Sequence, residues 1–258
     1  MGLMIFDIDG TLTHVYGEIE NTTEFSTYAF WPLLSYEFSE NPAALKKIAT
    51  EWDGSDKGAG EVFIESSRVM LERGIRMFRQ GITGETLRIK AREITFQFIK
   101  QAVIRPGAIE FLTMCIDRGH RCAFSTGSYE EGALGFLDAL MEAKLLTQEQ
   151  GRKIIVSGAV IHWPSRTVSH ANIAGNKIVG LKKRFLEKTG VLLNPTEITG
   201  IYVDDPEGND SGLYNLKPDK VFVMKTNRIL DEGKLTAKGG TIFTSWKLLS
   251  CISTLRLD

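Results

Sequence analysis

Residues 3–12 read LMIFDIDGTL, in which four apolar residues lead directly into two acids, a glycine and a threonine. A short, uninterrupted apolar run is typical of a strand buried in a parallel sheet. Gly10 permits a tight turn that returns Asp9 toward the end of that strand. We therefore expect Leu3–Phe6 to be a buried strand, with Asp7 and Asp9 at its carboxyl end.

Further apolar runs predict more strands of the same sheet. They lie at residues 122–124, 154–156, 198–203 and 221–224. Helical patterns separate several of them, and this alternation predicts a parallel sheet covered on both faces. Residues 158–170 instead favour a hairpin around a proline.

The chain between the first two strands has a different, helical character. Its apolar residues recur at helical spacing after Gly60 and again after Gly84. We predict an α/β, Rossmann-like core of residues 1–17 and 105–258. Residues 18–104 are predicted to form a helical cap domain inserted into that core.

Polar residues follow three of the predicted strands, at the sheet edge where such folds bind ligands. They are Asp7 and Asp9 after the first, Ser125, Thr126 and Gly127 after the second, and Asp204, Asp205 and Asp210 after the fourth. A carboxylate can attack phosphorus, and a second can act as general acid and base. The acids can also bind a hard cation such as Mg²⁺ through oxygen.

The remaining candidate residues are hydrogen-bond donors and a lysine, which can bind the negatively charged oxygens of a phosphoryl group. The hydroxyl of Thr126 or Ser125 and the N–H of Gly127 can donate to phosphoryl oxygens. Lys177 precedes a predicted helix and can neutralise negative charge on the nucleophile and on the group transferred.

Taken in order, these elements resemble the four motifs of the haloacid dehalogenase superfamily. The matching residues are Asp7-x-Asp9-Gly10-Thr11, Thr126, Lys177 and the Asp205-x4-Asp210 pair. Arg105-Pro106-Gly107 and Gly175-Asn176-Lys177 resemble the phosphoserine-phosphatase branch, and the helical insertion resembles that branch's cap.

This resemblance implies roles for the matching residues. Asp7 is expected to be the nucleophile and Asp9 the acid and base, with Thr126 and Lys177 assisting. The phosphate site is expected to include Gly10, Ser125 and Gly127. Mg²⁺ would be held by Asp7, the Asp9 carbonyl and Asp205, with support from Asp210.

Two choices between neighbouring residues stay open at this point. Asp204 stands where the related branch often has glycine, and spacing to Asp210 favours Asp205 over Asp204 as the metal ligand. Ser125 and Thr126 both offer a hydroxyl. Thr126 is preferred because a glycine follows it directly.

Composition limits the other functions of the chain. With 31 basic and 32 acidic residues, the formal charge is −1, which gives no global attraction to nucleic acid or anionic membranes. No apolar run approaches the roughly 18 residues of a membrane span. The three cysteines show no metal-binding spacing, so a reducing, cytoplasmic location is expected. The oligomeric state is not predicted.

The function predicted is Mg²⁺-dependent hydrolysis of a phosphomonoester through an aspartyl-phosphate on Asp7. The partner expected is a small phosphorylated substrate, with a phosphopeptide as an alternative. A phosphotransferase or mutase on the same scaffold is the first rival. A non-catalytic module that binds phosphorylated ligands in signalling is the second.

Overall fold

The computed structural model describes residues 2–14, 28–53, 61–169, 173–226 and 231–249. The strands are β1 (Leu3–Phe6), β2 (Arg121–Tyr129), β3 (Ile155–Ala159), β4 (Ile161–His162), β5 (Thr167–Val168), β6 (Ile198–Val203), β7 (Val221–Met224) and β8 (Thr241–Phe243). The helices are α1 (Phe30–Phe38), α2 (Pro42–Asp53), α3 (Glu61–Arg76), α4 (Gly84–Lys100), α5 (Ala108–Asp117), α6 (Glu130–Glu142), α7 (Gln148–Lys153), α8 (Lys177–Thr189), α9 (Ser211–Leu216) and α10 (Glu232–Ala237).

Six of the strands form one parallel sheet in the order β3-β2-β1-β6-β7-β8. The predicted α/β, Rossmann-like fold is confirmed. Strands β4 and β5 form a separate antiparallel pair, which confirms the predicted hairpin. Neither β8 nor helix α6 was predicted from the sequence.

The pairing of β1 with its neighbours sets the position of the polar residues. Phe6 is level with Phe124 of β2 on one side and with Tyr202 of β6 on the other. Asp7, which follows β1, is therefore level with Ser125, which lies within β2 because that strand continues beyond the predicted residue 124 to Tyr129. Strand β1 occupies a central place in the sheet, so its end is flanked by protein on both sides.

Alternate residues of β1 belong to different cores, as strand geometry requires. Met4 and Phe6 pack in a cluster that continues into helices α1, α5 and α6, whereas Leu3 and Ile5 face a cluster built on α8. The Phe6 ring stacks on Tyr202 with ring centroids 4.8 Å apart. Full burial on both faces explains why the strand is apolar throughout.

The chain leaves the core and returns to it at one place. Thr13 and Ile104 form an isolated antiparallel bridge, and the His14 N–H donates to the Val103 carbonyl at 2.8 Å. We call the chain between Thr13 and Ile104 the insert. Its described part contains helices α1 to α4. The predicted boundary after residue 17 falls in residues 15–27, outside the described residues.

Helix α4 of the insert packs closely against α6 of the core. A Cβ placed on Gly135 would lie 2.4 Å from the Arg88 carbonyl oxygen, so only glycine allows this approach. Arg88 also donates two hydrogen bonds to Asp138, at 2.6 and 2.8 Å. These contacts fix one side of the insert against the core.

Candidate active site

Asp7 and Lys177 form the centre of the site. Asp7 directly follows β1 and is buried, and the Lys177 ammonium lies 2.5 Å from its Oδ1. The same ammonium lies 2.6 Å from Oδ1 of Asp210. Lys177 is also buried, so its charge acts on both carboxylates with little screening by water.

Local backbone geometry brings Lys177 and Asp210 together. A short 3₁₀ turn, Ala174–Asn176, precedes Lys177 at the start of α8, and Asp210 precedes α9. A Cβ on Gly212 would lie 1.8 Å from the Gly175 carbonyl oxygen. Glycine at position 212 therefore lets the start of α9 contact the turn before Lys177.

A third carboxylate, that of Asp204, completes a buried acidic cluster. One oxygen from each of Asp7, Asp204 and Asp210 lies within 4.8 Å of the others. The Thr11 hydroxyl is 3.4 Å from both Asp7 Oδ2 and Asp204 Oδ1, so it can donate to either. The cluster joins the ends of β1 and β6.

The geometry favours Asp204 over Asp205 as the acid that joins Asp7 and Asp210, and the identity of the metal ligand stays a prediction. Asp205 Oδ2 accepts the Asn209 N–H at 3.1 Å, and the Asp205 backbone N–H donates to Asp210 Oδ2. Asp205 thus stabilises the turn that leads to Asp210, while the carboxylate of Asp204 joins Asp7. Chain spacing did not separate these two roles because the residues are adjacent.

Burial and neighbouring charges shift the ionisation of this cluster. Burial raises the pKa of Asp7 well above its usual value; the Lys177 ammonium opposes the shift, and Asp210 and Asp204 add to it. Burial alone would lower the pKa of Lys177, but the nearby Asp210 and Asp7 carboxylates raise it. Lys177 therefore remains charged.

The donor set of the cluster fits a hard divalent cation. It consists of carboxylate oxygens, which Mg²⁺ and Ca²⁺ prefer. Asp7, Asp204 and Asp210 are all buried, and in their ionised forms they carry more negative charge than the Lys177 ammonium offsets. A cation bound here would relieve that excess, so the residues present fit the predicted Mg²⁺.

Asp9 lies at one end of a hydrogen-bond network that the sequence did not predict. Its Oδ2 accepts from the Ser128 hydroxyl at 2.7 Å and from the Thr126 hydroxyl at 3.2 Å. Burial raises the pKa of Asp9, while hydrogen bonds from Ser128, Thr126 and the Phe30 backbone, and the charge of Lys177, oppose the shift. Asp9 Oδ1 is buried and has no hydrogen-bond partner among the described residues.

The two candidate hydroxyls after Phe124 occupy different positions. Thr126 donates to Asp9, as described above. Ser125 is fully buried on the strand next to Asp7, and its Oγ has no hydrogen-bond partner within the described ranges. The preference for Thr126 as phosphate donor is therefore not supported, because Ser125 has the unused hydroxyl at the level of Asp7.

The two glycines of the predicted phosphate site differ as well. Gly10 has a φ of 90°, which confirms its use in the turn after β1. Its N–H donates to the Thr13 hydroxyl at 3.3 Å, so this geometry does not support Gly10 as a phosphate donor. Gly127 lies where the pairing of β2 with β3 becomes irregular, and its role stays a prediction.

Arg105 and Trp246 hold the loop after β1, and neither was predicted to do so. The buried Arg105 guanidinium donates to the carbonyls of Gly10 and Thr13 at 2.9 and 3.0 Å. The Trp246 indole N–H donates to the Thr11 carbonyl at 3.2 Å. These bonds fix the backbone that carries Asp7 and Asp9. The Arg105-Pro106-Gly107 motif was the available signal, but nothing in it revealed the acceptors.

No family model and no curated protein matches the sequence. Solved structures do match its fold. Cytosolic 5'-nucleotidase IIIB bound to cytidine is 12% identical and has a TM-score of 0.59, with 99% of this chain and 88% of that chain covered. A phosphoserine phosphohydrolase-like protein from Francisella tularensis is 16% identical, with a TM-score of 0.53 and coverage of 98% and 99%.

A substrate-bound phosphoserine phosphatase complex is also similar. It is 12% identical, covers 98% of this chain and 97% of its own, and has a TM-score of 0.51. At such identities the likeness concerns the fold, and it confirms the haloacid dehalogenase-type fold that the motifs predicted. None of the described helices is long and apolar enough to cross a membrane.

Proposed function

We propose that this protein is a Mg²⁺-dependent phosphatase that forms an aspartyl-phosphate on Asp7. One observation carries the proposal: the Lys177 ammonium bridges Asp7 and Asp210 beside Asp204, in a buried site at the end of the central strand. A nucleophilic carboxylate, a fixed cation and an oxygen-rich metal site are what phosphoryl transfer requires.

In the first step, an oxygen of Asp7 forms a bond to phosphorus and the bond from phosphorus to the ester oxygen breaks. Asp9 gives its proton to that leaving oxygen, so the alcohol departs neutral. Lys177 offsets charge at Asp7, and the Ser125 hydroxyl, which is buried beside it, donates to a phosphoryl oxygen.

In the second step, a water oxygen attacks the same phosphorus. Asp9, now a carboxylate, takes a proton from that water, and the bond between phosphorus and the Asp7 oxygen breaks. Inorganic phosphate and the free Asp7 carboxylate result. One residue thus serves as acid and then as base, which leaves the enzyme ready for another cycle.

Asp7, Asp204 and Asp210 would hold or support the Mg²⁺, and the Asp9 carbonyl is a further proposed ligand. When bound, the ion supplies positive charge to the phosphoryl oxygens. Asp205 is assigned no contact to the metal, because its carboxylate accepts from the following turn.

We propose that the insert is a cap domain that closes over this site and selects the substrate. In support, helix α1 of the insert contacts the end of β2 through the bond from the Trp31 N–H to Ser128. The substrate proposed is a small phosphorylated metabolite, as the names of the similar nucleotidase and phosphoserine phosphatase suggest. A cytoplasmic location remains the expectation for such a substrate.

Two alternatives use the same residues. A phosphotransferase or mutase would pass the phosphoryl group to an alcohol instead of water. A non-catalytic binding module would hold a phosphorylated ligand without turnover. Both are separated from a phosphatase by measuring inorganic phosphate released per mole of protein.

The proposal is tested by turnover of p-nitrophenyl phosphate with Mg²⁺, with and without chelator. We expect multiple turnovers that need Mg²⁺ and that disappear in Asp7→Asn. The amide keeps the size of the side chain but is not a nucleophile toward phosphorus. Undiminished activity of Asp7→Asn would refute the proposal. Substrate class then follows from a screen of phosphorylated metabolites and phosphopeptides.

A further inference from the structure

Ser128 connects the insert to Asp9. The Trp31 backbone N–H, in the first turn of helix α1, donates to the Ser128 Oγ at 3.2 Å. Ser128 Oγ in turn lies 2.7 Å from Asp9 Oδ2. Since an N–H only donates and a carboxylate oxygen accepts, the Ser128 hydroxyl must accept from Trp31 and donate to Asp9.

Other contacts strengthen this connection. The backbone of the neighbouring Phe30, also in the first turn of α1, acts on Asp9 as well and opposes the rise in the pKa of its carboxyl group. The Ser128 N–H donates to the Thr126 hydroxyl at 3.0 Å, and that hydroxyl donates to Asp9 Oδ2. Asp9 is therefore held from two sides, by the end of β2 and by the insert.

The next residue, Tyr129, also binds the insert but does so away from Asp9. Its buried hydroxyl lies 2.8 Å from the Ser35 hydroxyl of α1 and 3.2 Å from the Leu71 carbonyl of α3. The end of β2 is thus a docking point for the insert. Of these two consecutive residues, Ser128 alone has a hydrogen bond to Asp9 in the described structure.

We propose that Ser128 is a positioning residue through which helix α1 of the insert orients the Asp9 carboxylate for proton transfer. The inference rests on the acid and base role proposed above for Asp9. Ser128 and Thr126 both donate to Oδ2, so Oδ1 is the oxygen that carries the transferred proton. Oδ1 is buried and has no partner within the described residues, so its hydrogen-bonding capacity is unused and can serve the leaving oxygen and the attacking water.

A consequence is that proton transfer by Asp9 depends on the contact between helix α1 of the insert and the end of β2. If α1 moves away from the end of β2, the Ser128 hydroxyl loses the Trp31 N–H that orients it toward Asp9. The Asp9 side chain is then free to turn, and misplacing a catalytic group by about 1 Å can slow a reaction by roughly 100-fold. Opening of the insert would therefore slow proton transfer by Asp9 while leaving the contact between Asp7 and Lys177 in place.

The test compares Ser128→Ala with Tyr129→Phe on two substrates of similar shape, p-nitrophenyl phosphate and phenyl phosphate. The first has a good leaving group that needs little protonation, whereas the second depends on the acid. We compare the kcat/KM for p-nitrophenyl phosphate divided by the kcat/KM for phenyl phosphate. In Ser128→Ala this ratio should be about tenfold or more above its wild-type value, because a misplaced Asp9 slows the reaction of phenyl phosphate, which has the poor leaving group. Tyr129→Phe removes one hydroxyl from the insert contact and should leave that ratio unchanged.

A second readout does not depend on activity. Hydrogen exchange at the Trp31 amide should be faster in Ser128→Ala than in wild type, because the amide has lost its acceptor. An unchanged substrate ratio in Ser128→Ala, an equal rise in Tyr129→Phe, or unchanged Trp31 exchange would each overturn the inference while the wild type remains active. A wild-type protein inactive on both esters would overturn the proposed function and this inference with it.

Discussion

The Lys177 ammonium lies 2.5 Å from Asp7 Oδ1, although 170 positions of the chain separate the two residues. Both are buried, and Lys177 contacts Asp210 as well. A buried ammonium is stable only when carboxylates and hydrogen bonds replace its water. The sheet topology supplies these partners by bringing the end of β1 next to the start of α8.

The first prediction concerns this ion pair. Lys177→Met should lower the free energy of unfolding in chelator by about 3–5 kcal/mol, because it leaves buried carboxylates without a counter-charge. Asp7→Asn in the same protein should recover part of the loss. The free energies of the wild type, both single variants and the double variant are to be compared by urea unfolding. Additive costs would mean that the two residues do not interact.

The second prediction concerns the metal and uses two adjacent acids. Asp204→Asn should raise the Mg²⁺ concentration for half-maximal activity by at least about tenfold, since it removes a charged oxygen from the cluster. Asp205→Asn is the matched control and should stay near wild type, because the Asp205 carboxylate accepts from Asn209 instead. If Asp205→Asn raised this Mg²⁺ concentration and Asp204→Asn did not, Asp205 would be the metal ligand.

The third prediction distinguishes the two hydroxyls after Phe124. Ser125→Ala should weaken competitive inhibition by inorganic phosphate by roughly 10- to 100-fold, the value of a hydrogen bond to a charged group. Thr126→Val should change phosphate inhibition little, because the Thr126 hydroxyl donates to Asp9. Equal effects of the two substitutions would argue against Ser125 as the phosphate donor.

The fourth prediction concerns stability and pH. Burial raises the pKa of Glu131, at the start of α6, to about 7, and Glu131 Oε2 has no partner among the described residues. A carboxyl group whose pKa is higher in the folded than in the unfolded state stabilises the fold at low pH. That stability is lost as the pH rises from about 4.5 to about 7.

Glu131→Gln should therefore match wild type at pH 4.5 and be more stable at pH 8, by up to about 3 kcal/mol. Guanidinium unfolding at both pH values provides the measurement. A difference between the two proteins that does not vary with pH would contradict the prediction.

Part of the site could be predicted because its reactive residues stand directly beside strands and helices that the sequence pattern reveals. Asp7 and Asp9 follow an uninterrupted apolar run, and Lys177 precedes a helix, so their positions follow from elements that local pattern reveals. The parallel sheet was predictable for the same reason. The fold confirms the parallel sheet and, apart from it, the predicted hairpin of β4 and β5.

Choices between adjacent residues could not be made in this way. Whether Asp204 or Asp205 faces Asp7 depends on how the chain turns after β6. The choice between Ser125 and Thr126 depends on side-chain alternation and on the register of β2 against β1. The role proposed for Ser128 could not be predicted from local sequence at all, because its hydrogen-bond partner Trp31 lies 97 positions away in the insert.

Two of the elements that the sequence did not predict escaped for local reasons. Strand β8 has three residues, which is too short to show a period. Helix α6 contains Gly132 and Gly135, which weaken a helical signal. Both glycines are needed there, because a Cβ at either would lie less than 3 Å from atoms of the insert.

The most direct test of the central claim is to look for the phosphoryl group on Asp7. Asp9→Asn protein should be mixed with p-nitrophenyl phosphate and Mg²⁺, quenched in acid, digested and analysed by mass spectrometry. Because this leaving group needs little protonation but the attacking water lacks its base, the intermediate should accumulate. We predict an added mass of about 80 Da on the peptide that contains Asp7, absent from the Asp7→Asn/Asp9→Asn double variant. Release of p-nitrophenol by Asp9→Asn protein with no adduct on that peptide would contradict the account.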